Sequence, residues 1–238
     1  MVEPLGDSGM KFDVPLQSGL LIRRYKRFLA DVEVEGQSQT MHCANTGSML
    51  GCSDPGSRVW FSTSSNVKRK YAHSLEIVET ATSHRAYVNT LQINRIVEEA
   101  LVSRVIDIGA DPLSDVTREV AIPGETGRFD FSVDEILIEV KSVTYEHGGV
   151  GYFPDAVSTR ATRHVRALQR CREDGIRTIL LFCASHSGVN KVMTADRIDP
   201  VYAAAVRDAL EQGVEVVAFG CTVSPQEIAV TRSIPFAI

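Results

Sequence analysis

The chain has 238 residues, 44% of them hydrophobic and 23% charged, with a formal net charge of −5. That length and apolar content allow one large or two modest domains around a real core, and the acidic balance argues against a general nucleic-acid coat protein. The opening Met1-Val2-Glu3-Pro4-Leu5-Gly6-Asp7-Ser8 has no charged start leading into an apolar run, and no stretch of about eighteen apolar residues occurs, so neither a signal peptide nor a membrane span is expected.

Residues 12–80 hold short strand-like runs at Leu20–Ile22, Phe28–Val34, Gln39–Cys43, Arg58–Ser62 and Leu75–Glu79, broken by Gly36, Asn45-Thr46-Gly47 and Asp54-Pro55-Gly56. Five strands in so short a stretch suit an OB-like five-stranded barrel, assigned to residues 1–82. Seven of the nine Lys and Arg residues in this region fall in two clusters, Arg23-Arg24-Tyr25-Lys26-Arg27 and Lys68-Arg69-Lys70. With Tyr25, Phe28, Trp60, Phe61 and Tyr71 interleaved, they compose a candidate surface for phosphates and stacked bases. The competing reading makes the aromatics core and the cations solvated strand faces.

From Val88 the texture changes. Asn89–Leu101 has helical apolar spacing, Thr117–Ile122 reads as a strand, and Ala156–Glu173 as a helix with Val157, Ala161, Val165 and Leu168 on one side and Arg160, Arg163, Arg166 and Arg170 elsewhere. Thr178–Ala184 is a buried strand, Val201–Gln212 a helix closed by Gly213, and Val214–Gly220 another strand. Residues 83–238 are thus a second, α/β domain. The cysteines, Cys43, Cys52, Cys171, Cys183 and Cys221, are odd in number and lack Cys-x-x-Cys spacing, which fits reduced thiols in the cytoplasm and not a zinc site.

Within the second domain, Gly127–Lys141 reads GRFDFSVDEILIEVK, two alternating apolar runs around Asp134-Glu135, and this predicts a hairpin. A tight turn there puts Ser132 against Leu137, Phe131 against Ile138 and Asp130 opposite Glu139, with Cβ atoms roughly 4.5–5.5 Å apart. Two carboxylates so close on apolar strands repel each other unless a cation sits between them. Strand alternation brings Lys141 to the face of Glu139. An acid followed by Glu-Xaa-Lys resembles the PD-(D/E)XK, or restriction-endonuclease-like, nucleases. The bland alternative is a hairpin with a solvated charged face; against it, Ile136–Val143 looks buried on both sides. The order helix, strand, strand, strand, helix, strand over 89–184 is also that of this fold, with the acid on the second strand and Glu-Xaa-Lys on the third.

Several ordered stretches together resemble the sugar fermentation stimulation protein family, SfsA: Arg24–Val32, His42–Met49, Asn66–Tyr71, Val88-Asn89-Thr90, Arg128–Phe131, Glu139–Thr144 and Phe153–Val157. Gly127 and Ala161 depart from the expected Ser and Gly. The resemblance implies an N-terminal OB-like domain, a C-terminal nuclease-like mixed sheet flanked by helices, and DNA binding. Residue by residue it makes Asp130 and Glu139 ligands of Mg²⁺ or Mn²⁺ and Lys141 the catalytic lysine. Glu99 is the candidate for an additional acid, with Glu119 competing and a solvent-facing carboxylate as the alternative. The Gly148–Gly151 loop, which Asp155 closes, is a candidate for approach to a phosphate backbone; His164 either joins the cluster or packs the helix; Asn45 and Thr46 are ligands or turn chemistry. Three functions compete. The first expectation is DNA binding, with metal-dependent hydrolysis of DNA phosphodiesters through Asp130, Glu139 and Lys141. The second is a catalytically silent DNA-binding regulator of sugar (maltose) metabolism genes. The third gives the acidic cluster a structural metal and the barrel a protein or small-molecule ligand. Oligomeric state is not legible.

Overall fold

The structure is a computed structural model and describes residues 9–238. The barrel is built from β2 (Gln17–Tyr25), β3 (Leu29–Val34), β4 (Gln37–Cys43), β5 (Arg58–Thr63) and β6 (His73–Glu79), which follow the short β1 (Met10–Lys11). Its strands run β4-β3-β2-β5-β6, and the sheet closes on itself through the parallel pairs His42–Ser74 and Cys43–Leu75 between β4 and β6. Closure removes the exposed sheet edges, so alternate residues, Leu21, Ala30, Val32, Met41, Val59, Phe61 and Leu75, fill the interior. The hairpin between β2 and β3 turns at Lys26 and Arg27, both at positive φ.

β7 (Arg85–Tyr87) extends the barrel sheet beside β6, and β1 leaves the barrel to pair with a strand near the C-terminus. The chain therefore crosses the 82/83 boundary in both directions. Helix α1 (Ile93–Val102) follows a 3-10 turn at Thr90–Gln92 and buries Ile93, Ile96, Val97, Ala100 and Leu101, an i, i+3, i+4 stripe.

The central sheet then forms from β8 (Val116–Ala121), β9 (Arg128–Val133) and β10 (Ile136–Val143). A second, four-stranded sheet begins with β11 (Tyr145–His147) and β12 (Val150–Phe153), before α2 (Thr159–Glu173) and β13 (Thr178–Ala184). β14 (Lys191–Thr194), α3 (Pro200–Glu211), β15 (Glu215–Val223), β16 (Glu227–Ile234) and β17 (Phe236–Ala237) complete the fold. The central order is β1-β16-β15-β13-β10-β9-β8, with β10, β13 and β15 parallel and the flanking pairs antiparallel; β11, β12, β14 and β17 make the smaller sheet.

Strand β13 shows why the sheet is buried on both faces. Ile179, Leu181 and Cys183 belong to the core under α1, whereas Leu180, Phe182 and Ala184 belong to the core under α2 and α3. The expected helix at 156–173 starts later, at Thr159, because Ser158 caps it by accepting from Ala161 N at 3.2 Å; Val157 lies outside it and is 71% exposed. All five cysteines are buried free thiols. No helix among the described residues is long and apolar enough to cross a membrane.

Candidate active site

The Asp134-Glu135 loop is a two-residue turn with both residues at positive φ, and it sets the expected register: Val133–Ile136, Ser132–Leu137 and Phe131–Ile138. The ladder ends there. Val140 N donates to Asp130 Oδ2 at 2.7 Å, so the carboxylate takes up a backbone donor just beyond the last paired residues. Phe129 packs in the core on the α2 side and Phe131 in the core on the α1 side, which shows β9 twisting at Asp130. Asp130 Oδ1 in turn accepts from Asn94 Nδ2 on α1 at 2.7 Å.

Glu139, 3% exposed, lies toward α2. Its Oε1 receives both the Lys141 ammonium and His164 Nδ1, the latter at 2.5 Å, while its Oε2 is buried without a hydrogen-bond partner. Burial by itself raises the Glu139 carboxyl, but the charge of Lys141 and the bond from His164 outweigh it and hold the group below the ordinary carboxylate range. Asp130 goes the other way: burial, then the negative charge of Glu139, push it up, and the donors at Val140 and Asn94 offset only part of that. The site pulls two neighbouring carboxylates in opposite directions.

Lys141 opens into a cleft of about 490 Å³ between the barrel and the second domain. Arg27 and the Asn45–Gly47 loop wall it on the barrel side, Thr90 and Asn94 on the α1 side, and Tyr152, Phe153 and Arg160 opposite. The junction that shapes it is hydrogen-bonded throughout. Tyr87 N donates to Ser185 O at 2.7 Å, Thr90 Oγ1 to Ala44 O at 2.6 Å and Met49 N to Asp155 Oδ2 at 2.7 Å. A Cβ at Gly47 would stand 2.4 Å from Asp155 Oδ1, so only glycine lets the loop approach this closely.

Other expected site residues lie elsewhere. Glu99 pairs with Arg95 at 3.0 Å and lies five residues beyond Asn94, about 140° further round the helix; Asn94 is the α1 residue that reaches Asp130. Glu119 is 60% exposed, 3.9 Å from Arg128, at positive φ in a break of the β8–β9 ladder. Asp155 anchors the Asn45–Met49 loop, and Gly148–Gly151 is the β11–β12 turn, where Gly149 N donates to Glu146. Asn45 accepts from Gly47 N at 2.8 Å and so stabilises its own turn. His164, left open between cluster and packing, belongs to the cluster.

The basic clusters divide likewise. Arg23 pairs with Asp31 at 2.8 Å, which also accepts from Tyr25, and Arg24 ties down the carbonyls of Arg27, Asn45 and Gly47. Of Arg23 to Arg27, Arg27 lines the cleft. Lys68, Arg69 and Lys70 are exposed outside it, with Arg69 donating to Ser74 and Lys70 over the Tyr71 ring. Trp60 and Phe61 are core residues, not a stacking platform: strand alternation sends one into the inter-domain core and the other into the barrel. Asn94 was the residue sequence reasoning missed; its signal was a lone amide beside the apolar stripe of α1.

No three His, Cys, Asp or Glu side chains among the described residues stand close enough to form a metal cage by themselves. The buried, partnerless Glu139 Oε2 nevertheless fits a cation, since such an oxygen is costly to leave unsatisfied. Asp130 and Glu139 carry the hard oxygen donors that Mg²⁺, Mn²⁺ or Ca²⁺ prefer.

Residues 91–227 match the family model described as the sugar fermentation stimulation protein RE domain, and residues 22–89 match the SfsA N-terminal OB domain. A sugar fermentation stimulation protein homolog of Aliivibrio salmonicida is 44% identical over 236 residues, covering 96% of this chain and 100% of that protein. The homolog of Ectopseudomonas mendocina is 47% identical over 230 residues, covering 94% and 97%. The structure of Pyrococcus furiosus SfsA in complex with Ca²⁺ superposes with a TM-score of 0.86 at 24% identity, covering 97% of this chain and 99% of that one, a likeness of fold.

Proposed function

The chain belongs to the sugar fermentation stimulation protein family, and from that premise and the geometry of its cleft we propose that it binds DNA and hydrolyses phosphodiester bonds with the help of a divalent ion. One observation carries the reading: Lys141 on the cleft wall bonds Glu139, Val140 beside it holds Asp130, and one Glu139 oxygen is buried without a hydrogen-bond partner. Asp130 and Glu139 would hold the ion, which when bound supplies Lewis-acid stabilisation of phosphate charge. The Pyrococcus furiosus relative was solved with Ca²⁺, an oxygen-seeking ion of the same kind.

The chain's own residues do the rest. Asn94 and the Val140 amide fix Asp130 by bonds to separate oxygens, and His164 fixes Glu139 from the far side. Lys141, 11% exposed at its side chain, places a cation at the cleft floor, where it orients an attacking water or offsets charge that develops on the scissile phosphate. Arg27 and Arg160 add positive charge to the walls, and the half-buried Tyr152 adds an aromatic ring.

The test is incubation of purified protein with single-stranded, duplex and flapped DNA in Mg²⁺, Mn²⁺, Ca²⁺ or chelator, beside Glu139→Gln. Metal-dependent cleavage that the variant loses supports the proposal. DNA binding with no cleavage of any form by the wild type would leave a DNA-binding regulator instead.

A further inference from the structure

Helix α2 carries Arg160, Arg163, Arg166 and Arg170, all exposed. At about 100° per residue, Arg163, Arg166 and Arg170 fall within about 60° of one another and Arg160 lies about 60° beyond. This stripe faces away from the buried side formed by Ala161, Val165 and Leu168. Arg170 pairs with Glu125, whereas the side chains of Arg160, Arg163 and Arg166 make no hydrogen bond or ion pair among the described residues. In a chain of net charge −5, three unneutralised guanidinium groups on one helix face are a local positive field with nothing in the fold to explain it.

The stripe borders a groove of about 410 Å³ that includes Arg163, Arg166 and Arg170. This groove and the cleft share Val157 and Thr159, and Arg160 stands on the cleft wall, so the two depressions adjoin. Asp199, the other acid at the groove, is 2% exposed and already committed: its oxygens accept from Ser158 N at 2.8 Å and Tyr202 N at 2.9 Å. The surface presents cations without a competing free carboxylate.

We infer that the α2 arginine stripe is the track on which the phosphate backbone of DNA runs as it leaves the cleft. Arg160 to Arg170 spans about 15 Å, comparable with about four phosphate steps along one strand. Guanidinium groups suit this contact because each offers a planar fork of donors to phosphate oxygens and reads no sequence. The inference rests on the proposal that the cleft binds DNA, and it moves the electrostatic anchor from the barrel loop at Lys68–Lys70 to α2.

The experiment measures affinity for a labelled oligonucleotide, single-stranded and duplex, across a salt series. Each lost phosphate contact lowers the log-log slope by about 0.7 on single strands and 0.9 on duplex, so Arg163→Gln with Arg166→Gln should flatten it by roughly 1.4–1.8 units and weaken binding about tenfold or more at moderate salt. Arg163→Lys with Arg166→Lys should restore most of the slope, which a role in helix packing would not produce, and Lys68→Gln with Lys70→Gln should leave it unchanged. A thermal melt confirms that each variant is folded. Wild-type slope and affinity in the folded Gln variant overturn the α2 track and leave the cleft reading standing; absence of DNA binding by the wild type overturns both.

Discussion

Glu76 in the barrel and Glu139 in the central sheet are both buried carboxylates, 5% and 3% exposed, and they are satisfied in opposite ways. Glu76 accepts from Ser62 at 2.6 Å on one oxygen and from Tyr87 at 3.1 Å and Asn89 at 2.9 Å on the other. Its partners are neutral, so burial prevails and the carboxyl is raised. Glu139 gathers Lys141 and His164 on one oxygen, leaves the other bare, and is held low. The difference separates a carboxylate that ties strands β5, β6 and β7 together from one set up to meet something outside the chain. Neutral donors on both oxygens leave burial free to raise Glu76, whereas a cation and an imidazole on one oxygen favour the charged form of Glu139.

The largest expected effect belongs to the barrel. Glu76→Ala strands three donors, those of Tyr87 and Asn89 buried, and should cost about 3 kcal/mol, read as a fall of roughly 6–12 °C in melting temperature. Cleavage per folded molecule should not change; a catalytic loss larger than the loss of folded protein would break the comparison. At the other site, Lys141→Ala should leave DNA affinity nearly intact and cut the cleavage rate by a factor on the order of 10² or more. Equal losses of binding and rate would make Lys141 an anchor instead.

Next in size is the response to metal. A divalent ion at about one hundred times its Kd should stabilise the wild type by about 2.7 kcal/mol, and Asp130→Asn should lose most of that gain. Identical melting shifts in both proteins would place the ion elsewhere. The smallest effect concerns pH. Because Glu76 titrates above its ordinary value of 4.5 when folded, its contribution to stability is complete below the unfolded pKa and is lost as pH rises through the folded one, at about 1.4 kcal/mol per unit of difference. Urea unfolding of the wild type should therefore lose stability across that window relative to Glu76→Gln. A difference that stays flat with pH would mean that Glu76 is not raised.

The two apolar runs with the two-residue Asp134-Glu135 turn between them were enough to specify the hairpin register at Val133–Ile136, Ser132–Leu137 and Phe131–Ile138, because turn length fixes which residues face each other. The same local rules made the five barrel strands and the buried strand at Thr178–Ala184 legible, and the ordered motifs pointed to the family. The late strands β14, β16 and β17 escaped such reading: β14 and β17 are short, and all three owe their pairing to partners distant in the chain. Tertiary structure alone decided that Asn94 and not Glu99 faces Asp130, that Trp60 closes the inter-domain core, and that Arg24 and Asp155 brace the Asn45–Met49 loop. Each depends on helix rotation or on which sheet a strand meets. Local sequence sets a side chain's period along its own element, but the direction that element faces is fixed by burial against others far away in the chain.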